Sequence, residues 1–202
     1  KKTFLSHRGY GILKSEFSFK DLNRIKDELT VSPKTMNTFG NSNPVRYSIY
    51  AESSKKLYIP KYYGLQKFGK PDVNKLLDGI DVNIKFNGDL RENQIKPVEK
   101  FLESARDPNK MGGLINLGCA AGKTVISLNI ISQLGKKTLV VVHKDFLLKQ
   151  WKERIEQFLP DARVGLIKAK VIDIEDKDIV MASLQSLSMK EYDKGTFDEF
   201  GF

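Results

Sequence analysis

The stretch LGCAAGKT, residues 117–124, decides how the second half of this chain folds. It nearly matches the phosphate-binding pattern G-x-x-x-x-G-K-[ST], which requires glycine where this chain has Leu117. The apolar run GLINL leads into it, and GKTVISLNIISQL follows with helical spacing, which predicts a buried strand, a loop and a helix. Backbone N–H groups at such a helix start can bind phosphate oxygens. We therefore interpret it as a nucleotide-binding loop; the alternative is a helix that merely begins with G-K-T.

Helices and apolar strands alternate on both sides of this loop. LRENQIKPVEKFLESA before it has a helical pattern, although Pro97 predicts a kink or a late start. After it, TLVVVH reads as a strand, KDFLLKQWKERIEQFL as a helix with Phe146 and Trp151 on its apolar side, and DIVMAS as another strand. Helices between uninterrupted apolar strands indicate an α/β fold with a doubly wound parallel sheet.

The first half has a different pattern, typical of a small α+β unit. FLSHRGYGILK predicts a strand, and Ser18 can cap a helix over FKDLNRIKDEL. A loop over residues 30–44 separates these from RYSIYA and KKLYIP, which predict a hairpin, and GIDVNIKF predicts a further strand. We place a basic α+β accessory domain at residues 1–86 and the α/β domain at residues 87–202.

Positive charge is concentrated in the first half. The chain has a formal net charge of +9, and residues 1–90 hold 16 Lys and Arg against 9 Asp and Glu, whereas residues 91–202 hold 18 against 16. This imbalance favours an anionic partner, most commonly nucleic acid, although a lysine-rich soluble surface gives the same total. Cations interleave with tyrosines in this half, which suits either nucleic-acid contact or a solvated sheet face. The candidate nucleic-acid-binding cations are Arg46, Lys55, Lys56 and Lys61.

Other composition features exclude several classes of protein. Cys119 is the only cysteine, so no internal disulfide can form, and no residues of the sequence have zinc-ligand spacing. No apolar run is long enough to span a bilayer, and no signal peptide opens the sequence. We expect an intracellular protein of a reducing compartment such as the cytoplasm, or of a host cell or virion if the source is viral, with no membrane partner.

Several motifs together resemble one family of motor proteins. LGCAAGKT resembles the L-P-C-G-x-G-K-T and L-P-T-S-A-G-K-S loops of the XPB-like, DExH-type branch of superfamily 2 helicases. LRENQ resembles their L-R-x-x-Q element, and LVVVHKDFLLKQWKERIEQFLP and DIVMASLQSLS resemble two of their nucleic-acid-contacting motifs. RYSIYAESSKKLYIPKYYGLQKFG is similar to the amino-terminal region of the helicases of nucleocytoplasmic large DNA viruses.

The resemblance implies the first RecA-like motor domain of an ATP-dependent helicase or translocase that uses Mg²⁺. Lys123 would contact the β- and γ-phosphates and Thr124 would bind Mg²⁺, which makes these two the expected catalytic residues, while Gln94 would recognise adenine. The remaining loop residues expected at the nucleotide are Gly118, Cys119, Ala120, Ala121 and Gly122. Lys144, Ser183 and Gln185 would contact nucleic acid, DNA more than RNA, although Ser183 and Gln185 also suit simple helix capping.

Departures from the family pattern qualify this interpretation. Ala120 replaces a usual glycine, so a left-handed backbone there would cost roughly 1 kcal/mol, and Gly118 replaces a usual proline. We expect the D-E-x-H motif and the second RecA-like domain beyond Phe202, since Asp198-Glu199 lacks a preceding apolar strand; residues 1–202 alone should therefore show no ATPase activity. Two other interpretations stay open: a P-loop kinase acting on a small molecule, and a non-enzymatic nucleic-acid-binding module.

Overall fold

The chain divides into two compact units, Lys1–Leu76 and Leu77–Phe202. A computed structural model of the protein describes residues 2–32 and 45–201. Most of the predicted loop over residues 30–44 therefore lies outside the described residues. Within the described part, no helix has the length and apolar character needed to cross a membrane.

The first unit is built from short strands and two α-helices. In chain order the described elements are β1 (Thr3–Ser6), β2 (Gly9–Leu13), α1 (Phe19–Glu28), β3 (Thr30–Val31), β4 (Tyr47–Ser48), β5 (Ala51–Glu52), β6 (Lys56–Ile59), α2 (Lys61–Phe68) and β7 (Val73–Asn74). Five strands form one sheet in the order β5-β6-β2-β1-β7, and β3 pairs with β4 separately. The predicted α+β character of this unit is present.

Local sequence explains two features of this unit. The Ser18 side chain accepts a hydrogen bond from the Asp21 backbone N–H, so α1 begins where the cap was predicted. The predicted single strand FLSHRGYGILK is instead a hairpin of β1 and β2 that turns at His7 and Arg8. Gly9 allows the turn, because its φ is +100° and an added Cβ would lie 2.5 Å from the Ile59 carbonyl oxygen.

The second unit alternates helices with strands. Its described elements are α3 (Glu92–Arg106), α4 (Lys123–Leu134), β8 (Thr138–Val142), α5 (Asp145–Phe158), β9 (Val164–Lys168), β10 (Val171–Asp173), β11 (Ile179–Ser183) and α6 (Leu184–Met189). The sheet order is β10-β9-β11-β8, with β9, β11 and β8 parallel and β10 antiparallel at the edge. The predicted α/β class and parallel sheet are confirmed.

Apolar side chains cover both faces of this sheet. On one face, residues of α4 and α5 pack on β8 and β11, with Leu128, Ile155 and Met181 among the buried side chains. On the other face, Val180 and Ala182 pack against α6 and the segment after it. Every residue of β11 is buried, which explains the unbroken apolar run that predicted it. Pro97 lies inside α3 without ending the helix.

Two predicted strands do not form. Residues 113–117, GLINL, pair with no described strand. A strand forms only against a hydrogen-bonded neighbour, and no described strand lies beside this run. Leu114 is 93% exposed. Residues 79–86 make only an isolated bridge, between Asp81 and Lys136. Four strands form that the sequence did not predict: β9 and β10 in this unit, and β3 and β7 in the first unit. β3 lies inside the predicted loop over residues 30–44, so that prediction is wrong at Thr30 and Val31, which pair with β4. Phe146, predicted on the apolar side of α5, is 69% exposed.

The division between the units falls earlier than the predicted boundary after residue 86. Ile84 belongs to the core of the second unit, and its carbonyl oxygen accepts a hydrogen bond from the Ser132 hydroxyl. The Val82 backbone N–H donates to the Gly135 carbonyl oxygen. These contacts tie residues 77–86 to the second unit, so the structure divides the chain between Leu76 and Leu77.

Candidate functional site

The loop before α4 adopts a tightly curved backbone. Gly122 caps the helix with φ 78° and ψ 35°, and Ala120 has φ 60°, both in the left-handed region. Ala120 therefore has the strained conformation anticipated for a residue standing in place of glycine. Cys119 and Gly118 are exposed, and an added Cβ on Gly118 would meet no atom within 4 Å. The loop thus presents an open surface at the start of a helix of 12 residues.

Lys123 turns its side chain back over this loop. Its ammonium group donates hydrogen bonds to the carbonyl oxygens of Leu117 at 3.1 Å and Gly118 at 2.9 Å. Among the described residues no carboxylate pairs with this ammonium group, so its positive charge is uncompensated. Thr124 follows it on the first turn of α4 and is partly buried. A cation held only by neutral carbonyl groups is well suited to receive an anion such as phosphate.

Gln94 connects α3 to the same loop. Its side-chain oxygen accepts a hydrogen bond from the Arg91 backbone N–H at 3.0 Å, and its side-chain nitrogen donates to the Ala121 carbonyl oxygen at 3.1 Å. The side chain is only 3% exposed, and an added Cβ on Gly122 would lie 2.2 Å from its nitrogen. The structure therefore brings Gln94 together with the predicted loop residues, in contact with the loop backbone.

The described residues contain no group of three or more His, Cys, Asp or Glu side chains that could hold a metal ion. A magnesium ion bound with a nucleotide would take its ligands from phosphate oxygens, water and the Thr124 hydroxyl. The open loop and the uncompensated Lys123 fit such a complex.

A second group of predicted residues meets at the carboxyl ends of the parallel strands. Lys144 follows β8, and Ser183 and Gln185 lie at the end of β11 and in α6. The Gln185 side-chain nitrogen donates to the His143 carbonyl oxygen at 2.9 Å, which links the two strand ends. These residues line one open cavity of about 480 Å³. Ligands commonly bind at this edge of open α/β sheets.

The Ser183 hydroxyl is already hydrogen-bonded within the protein. Its hydroxyl accepts a hydrogen bond from the Ser186 backbone N–H at 3.2 Å, so it caps α6, and it is 6% exposed. Ser186, which sequence reasoning missed, extends the network by accepting from the Ala169 backbone N–H. The capping role that the sequence allowed is therefore present, and a phosphate contact by Ser183 stays a prediction.

Lys168 is another cation that sequence reasoning missed at this edge. It ends β9, lines the same cavity, and its ammonium group lies 2.9 Å from the Asp145 carboxylate. Lys168 reaches this cavity only because β9 forms, and the short run VGLIK of β9 was not predicted as a strand.

The four predicted cations of the first unit lie on different elements or between them. Lys56 lies on β6 with its ammonium group 5.1 Å from the centre of the Phe4 ring. Lys61 lies on α2, 5.1 Å from the centre of the Tyr62 ring, and burial lowers the pKa of its ammonium group. Lys55 is exposed in the turn between β5 and β6, and Arg46 is exposed before β4.

Comparisons with known proteins point to one family. Residues 87–201 match the family described as type III restriction enzyme, res subunit. The chain is 30% identical over 204 residues to L396 of Acanthamoeba polyphaga mimivirus, which is named as a candidate ATP-dependent RNA helicase. The matched region covers 99% of this chain and 39% of that protein. It is 27% identical over 124 residues to the candidate helicase 161L of Invertebrate iridescent virus 6, covering 59% of this chain and 28% of that protein. It is 40% identical over 84 residues to the DNA 3'-5' translocase XPB2 of Sulfurisphaera tokodaii, covering 42% of this chain and 18% of that protein.

Proposed function

This chain belongs to the family of the type III restriction enzyme res subunit, and on that premise we propose that it works as the nucleotide-binding part of an ATP-dependent helicase or translocase of superfamily 2. It spans 39% of the length of its mimivirus relative, so the activity is proposed for a larger protein that includes this chain. The parallel sheet, α4 and the phosphate-binding sequence pattern before α4 support this role.

The uncompensated charge of Lys123 carries the proposal. In the nucleotide complex its ammonium group exchanges two neutral carbonyl partners for the β- and γ-phosphates, which are stronger, charged acceptors. The backbone N–H groups at the start of α4 face the same phosphates, aided by the helix dipole. Magnesium, when bound, supplies further positive charge to the phosphates, and Thr124 is the residue of this loop that would hold it.

Gln94 has two roles in this proposal. It supports the loop through the Ala121 carbonyl oxygen, and its amide can pair with an adenine edge by donating one hydrogen bond and accepting another. Both amide ends already have one protein partner, so base recognition uses the second amide proton and the second lone pair of the oxygen. Gln94 would thus connect the base of a bound nucleotide to the backbone of the loop.

Nucleic acid is the proposed substrate, bound in the cavity at the carboxyl ends of β8 and β11. Lys144 is exposed there and would contact a phosphate of the backbone, with Gln185 beside it. The names of the relatives point both ways, since one is named for RNA and another for DNA. We retain DNA as the preferred substrate, and binding of DNA and RNA oligonucleotides of the same sequence is the measurement that tests this preference.

Titration with a fluorescent ATP analogue tests the nucleotide site. We expect the chain to bind it, and Lys123→Ala to weaken binding by at least about tenfold, the loss of one charge-assisted contact of roughly 1.5–3 kcal/mol. Lys149→Ala removes a lysine that is also exposed, but on α5, and should leave the affinity unchanged. Equal affinities of wild type and Lys123→Ala would refute the proposed site.

A further inference from the structure

The sheet of the first unit has two faces of different character. One face is apolar and buried, with Leu5, Tyr10, Ile12, Leu57 and Ile59 each at most 2% exposed. On this side α2 lies so close that a Cβ added to Gly64 would be 2.2 Å from the Tyr10 ring. Strand side chains alternate between faces, so the residues between these point to the opposite side, which we call the outer face.

An aromatic row crosses the outer face. Phe4 on β1 pairs in register with Gly11 on β2, and Gly11 pairs with Tyr58 on β6. The Phe4 ring lies over Gly11, where an added Cβ would come within 2.1 Å of it. The Tyr58 ring meets the Phe4 ring edge to face, with centres 6.0 Å apart and planes at 85°. Two partly exposed rings thus form a continuous aromatic surface across three strands.

Three cations lie against these rings. The ammonium groups of Lys56 and Lys75 are 5.1 and 5.4 Å from the centre of the Phe4 ring, and the Arg8 guanidinium is 5.6 Å from that of Tyr58. None of the three forms an ion pair with a carboxylate among the described residues. The other strand residues that point outward carry no acidic group either: Ser6, Leu13, Ala51 and Val73.

Two carboxylates of this unit, those of Glu52 and Glu28, are paired with cations other than these three. Glu52 forms ion pairs with Lys14 and Lys26, and Glu28 with Lys67. Residues 1–76 hold 15 Lys and Arg against 6 Asp and Glu, whereas residues 77–202 hold 19 against 19. The entire formal net charge of the chain therefore belongs to the unit that bears the outer face.

We propose that the outer face binds single-stranded nucleic acid, with bases stacked on Phe4 and Tyr58 and phosphates paired with Arg8, Lys56 and Lys75. Stacking on aromatic rings beside cations is a sequence-tolerant way of holding an unpaired strand, because every base has a π face. A duplex hides its base faces and cannot use the rings. This site goes beyond the proposed function, which places nucleic acid at the sheet edge of the second unit.

A structural role explains only part of this arrangement. The Phe4 ring covers the backbone at Gly11, and aromatic rings stabilise strand glycines in this way. That role requires neither Tyr58 nor three cations without carboxylate partners. Tyr62 offers a matched comparison, because a lysine also lies 5.1 Å from its ring, but the residue sits on α2 rather than on the sheet.

Fluorescence anisotropy with a labelled oligo(dT) of about 12 nucleotides, a length within the range that such surfaces bind, tests the proposal on the 202-residue chain. We expect Tyr58→Leu to weaken binding about fivefold to a hundredfold, the range for loss of one stacked base. Tyr58→Phe keeps the ring, and Tyr62→Leu removes a ring elsewhere, so both should bind within about twofold of wild type. A duplex of the same length should bind wild type and Tyr58→Leu equally.

The same titration in a Lys144→Ala background separates this site from the one on the second unit. The loss caused by Tyr58→Leu should persist in the Lys144→Ala background and be at least as large there, because the second-unit site then holds less of the oligonucleotide. If Lys144→Ala removes all binding, or if Tyr58→Leu binds the single strand as wild type does, the outer face is not a binding site. Either result leaves the proposed function intact.

Lys75→Gln provides a test that does not disturb packing, since Lys75 is exposed. Removing one phosphate contact should lower affinity and reduce the slope of log affinity against log salt by about 0.7, the value for single strands. Lys20→Gln, an equally exposed change on α1, should leave the slope unchanged. If Tyr58→Leu proves unfolded by circular dichroism, an unchanged slope in Lys75→Gln overturns the proposal.

Discussion

Gly122→Ala should destabilise the second unit, and the size of the effect follows from the backbone conformation of Gly122 and from its contact with Gln94. The residue has φ 78°, and a left-handed backbone costs an alanine roughly 1–2 kcal/mol. The new Cβ would lie 2.2 Å from the Gln94 side-chain nitrogen, which must move and lose its bond to the Ala121 carbonyl oxygen, a loss of about 0.5–1.5 kcal/mol. Reduced entropy of the unfolded chain offsets about 0.4–1 kcal/mol. We expect a net loss of about 0.5–3 kcal/mol, with a midpoint near 2 kcal/mol.

Urea unfolding followed by tryptophan fluorescence measures this change directly. Trp151 is the only tryptophan of the chain and packs against the core of the second unit, so its signal reports that unit. Gly118→Ala is the matched control in the same loop, because an added Cβ there meets nothing within 4 Å. Its stability should be unchanged or slightly higher than that of wild type, opposite in sign to Gly122→Ala.

A double-mutant cycle with Gln94→Ala separates the two causes. Without the Gln94 side chain the Cβ has room, so Gly122→Ala should then cost only the backbone strain. A coupling energy of about 0.5–1.5 kcal/mol is expected, equal to the hydrogen bond that the single variant breaks. A Gly122→Ala protein as stable as wild type would refute the reasoning, and a coupling energy near zero would show that Gln94 does not constrain the loop.

Three further outcomes test the site and its support. Asp178→Asn should lower the urea midpoint at pH 7, because burial disfavours the carboxylate but bonds from Arg163 outweigh it and lower the pKa of Asp178. That stability is present above the ordinary pKa of about 3.9 and is lost as pH falls below it, so the difference from wild type should shrink towards pH 3. Asp161→Asn, at an exposed site, is the matched control and should leave the urea midpoint at pH 7 unchanged. Gln94→Ala should reduce any preference for ATP over GTP in competition titrations. It should also weaken binding of pyrophosphate, which has no base and so reports the support that Gln94 gives to the loop. An unchanged preference for ATP would show that Gln94 does not contact the base. Ser183→Ala should destabilise α6 by about 1 kcal/mol through loss of its cap, measured by urea unfolding, whereas weaker DNA binding without lost stability would assign Ser183 to phosphate contact.

The sequence predicted those elements whose cause is local. Ser18 caps α1 by accepting a hydrogen bond from the Asp21 backbone, three residues further along the chain. The five buried residues of β11 appear in the sequence as an unbroken apolar run. The loop before α4 could likewise be recognised, because its pattern is fixed by neighbouring residues. In each case the determining contacts lie within a few positions along the chain.

Elements that depend on distant partners could not be predicted this way. GLINL has the composition of a strand, but a strand forms only against a neighbour, and composition carries no information about neighbours. Lys168 reaches the cavity because β9 pairs with β11, and Phe4 reaches Tyr58 because both pair in register across Gly11. Register of this kind is a property of the folded sheet.

The distribution of charge gives the two units different physical relationships to phosphate. The second unit is formally neutral, with 19 Lys and Arg against 19 Asp and Glu, so it has no excess charge to attract a polyanion from a distance. Its candidate site depends instead on local geometry, in which one uncompensated ammonium group, Lys123, stands at the start of a helix. The first unit holds the whole excess of nine positive charges, and such an excess binds polyanions by releasing their counterions. Nucleotide binding at Lys123 should therefore depend weakly on salt, whereas nucleic-acid binding by the first unit should depend on it steeply, because only the first unit carries a net charge.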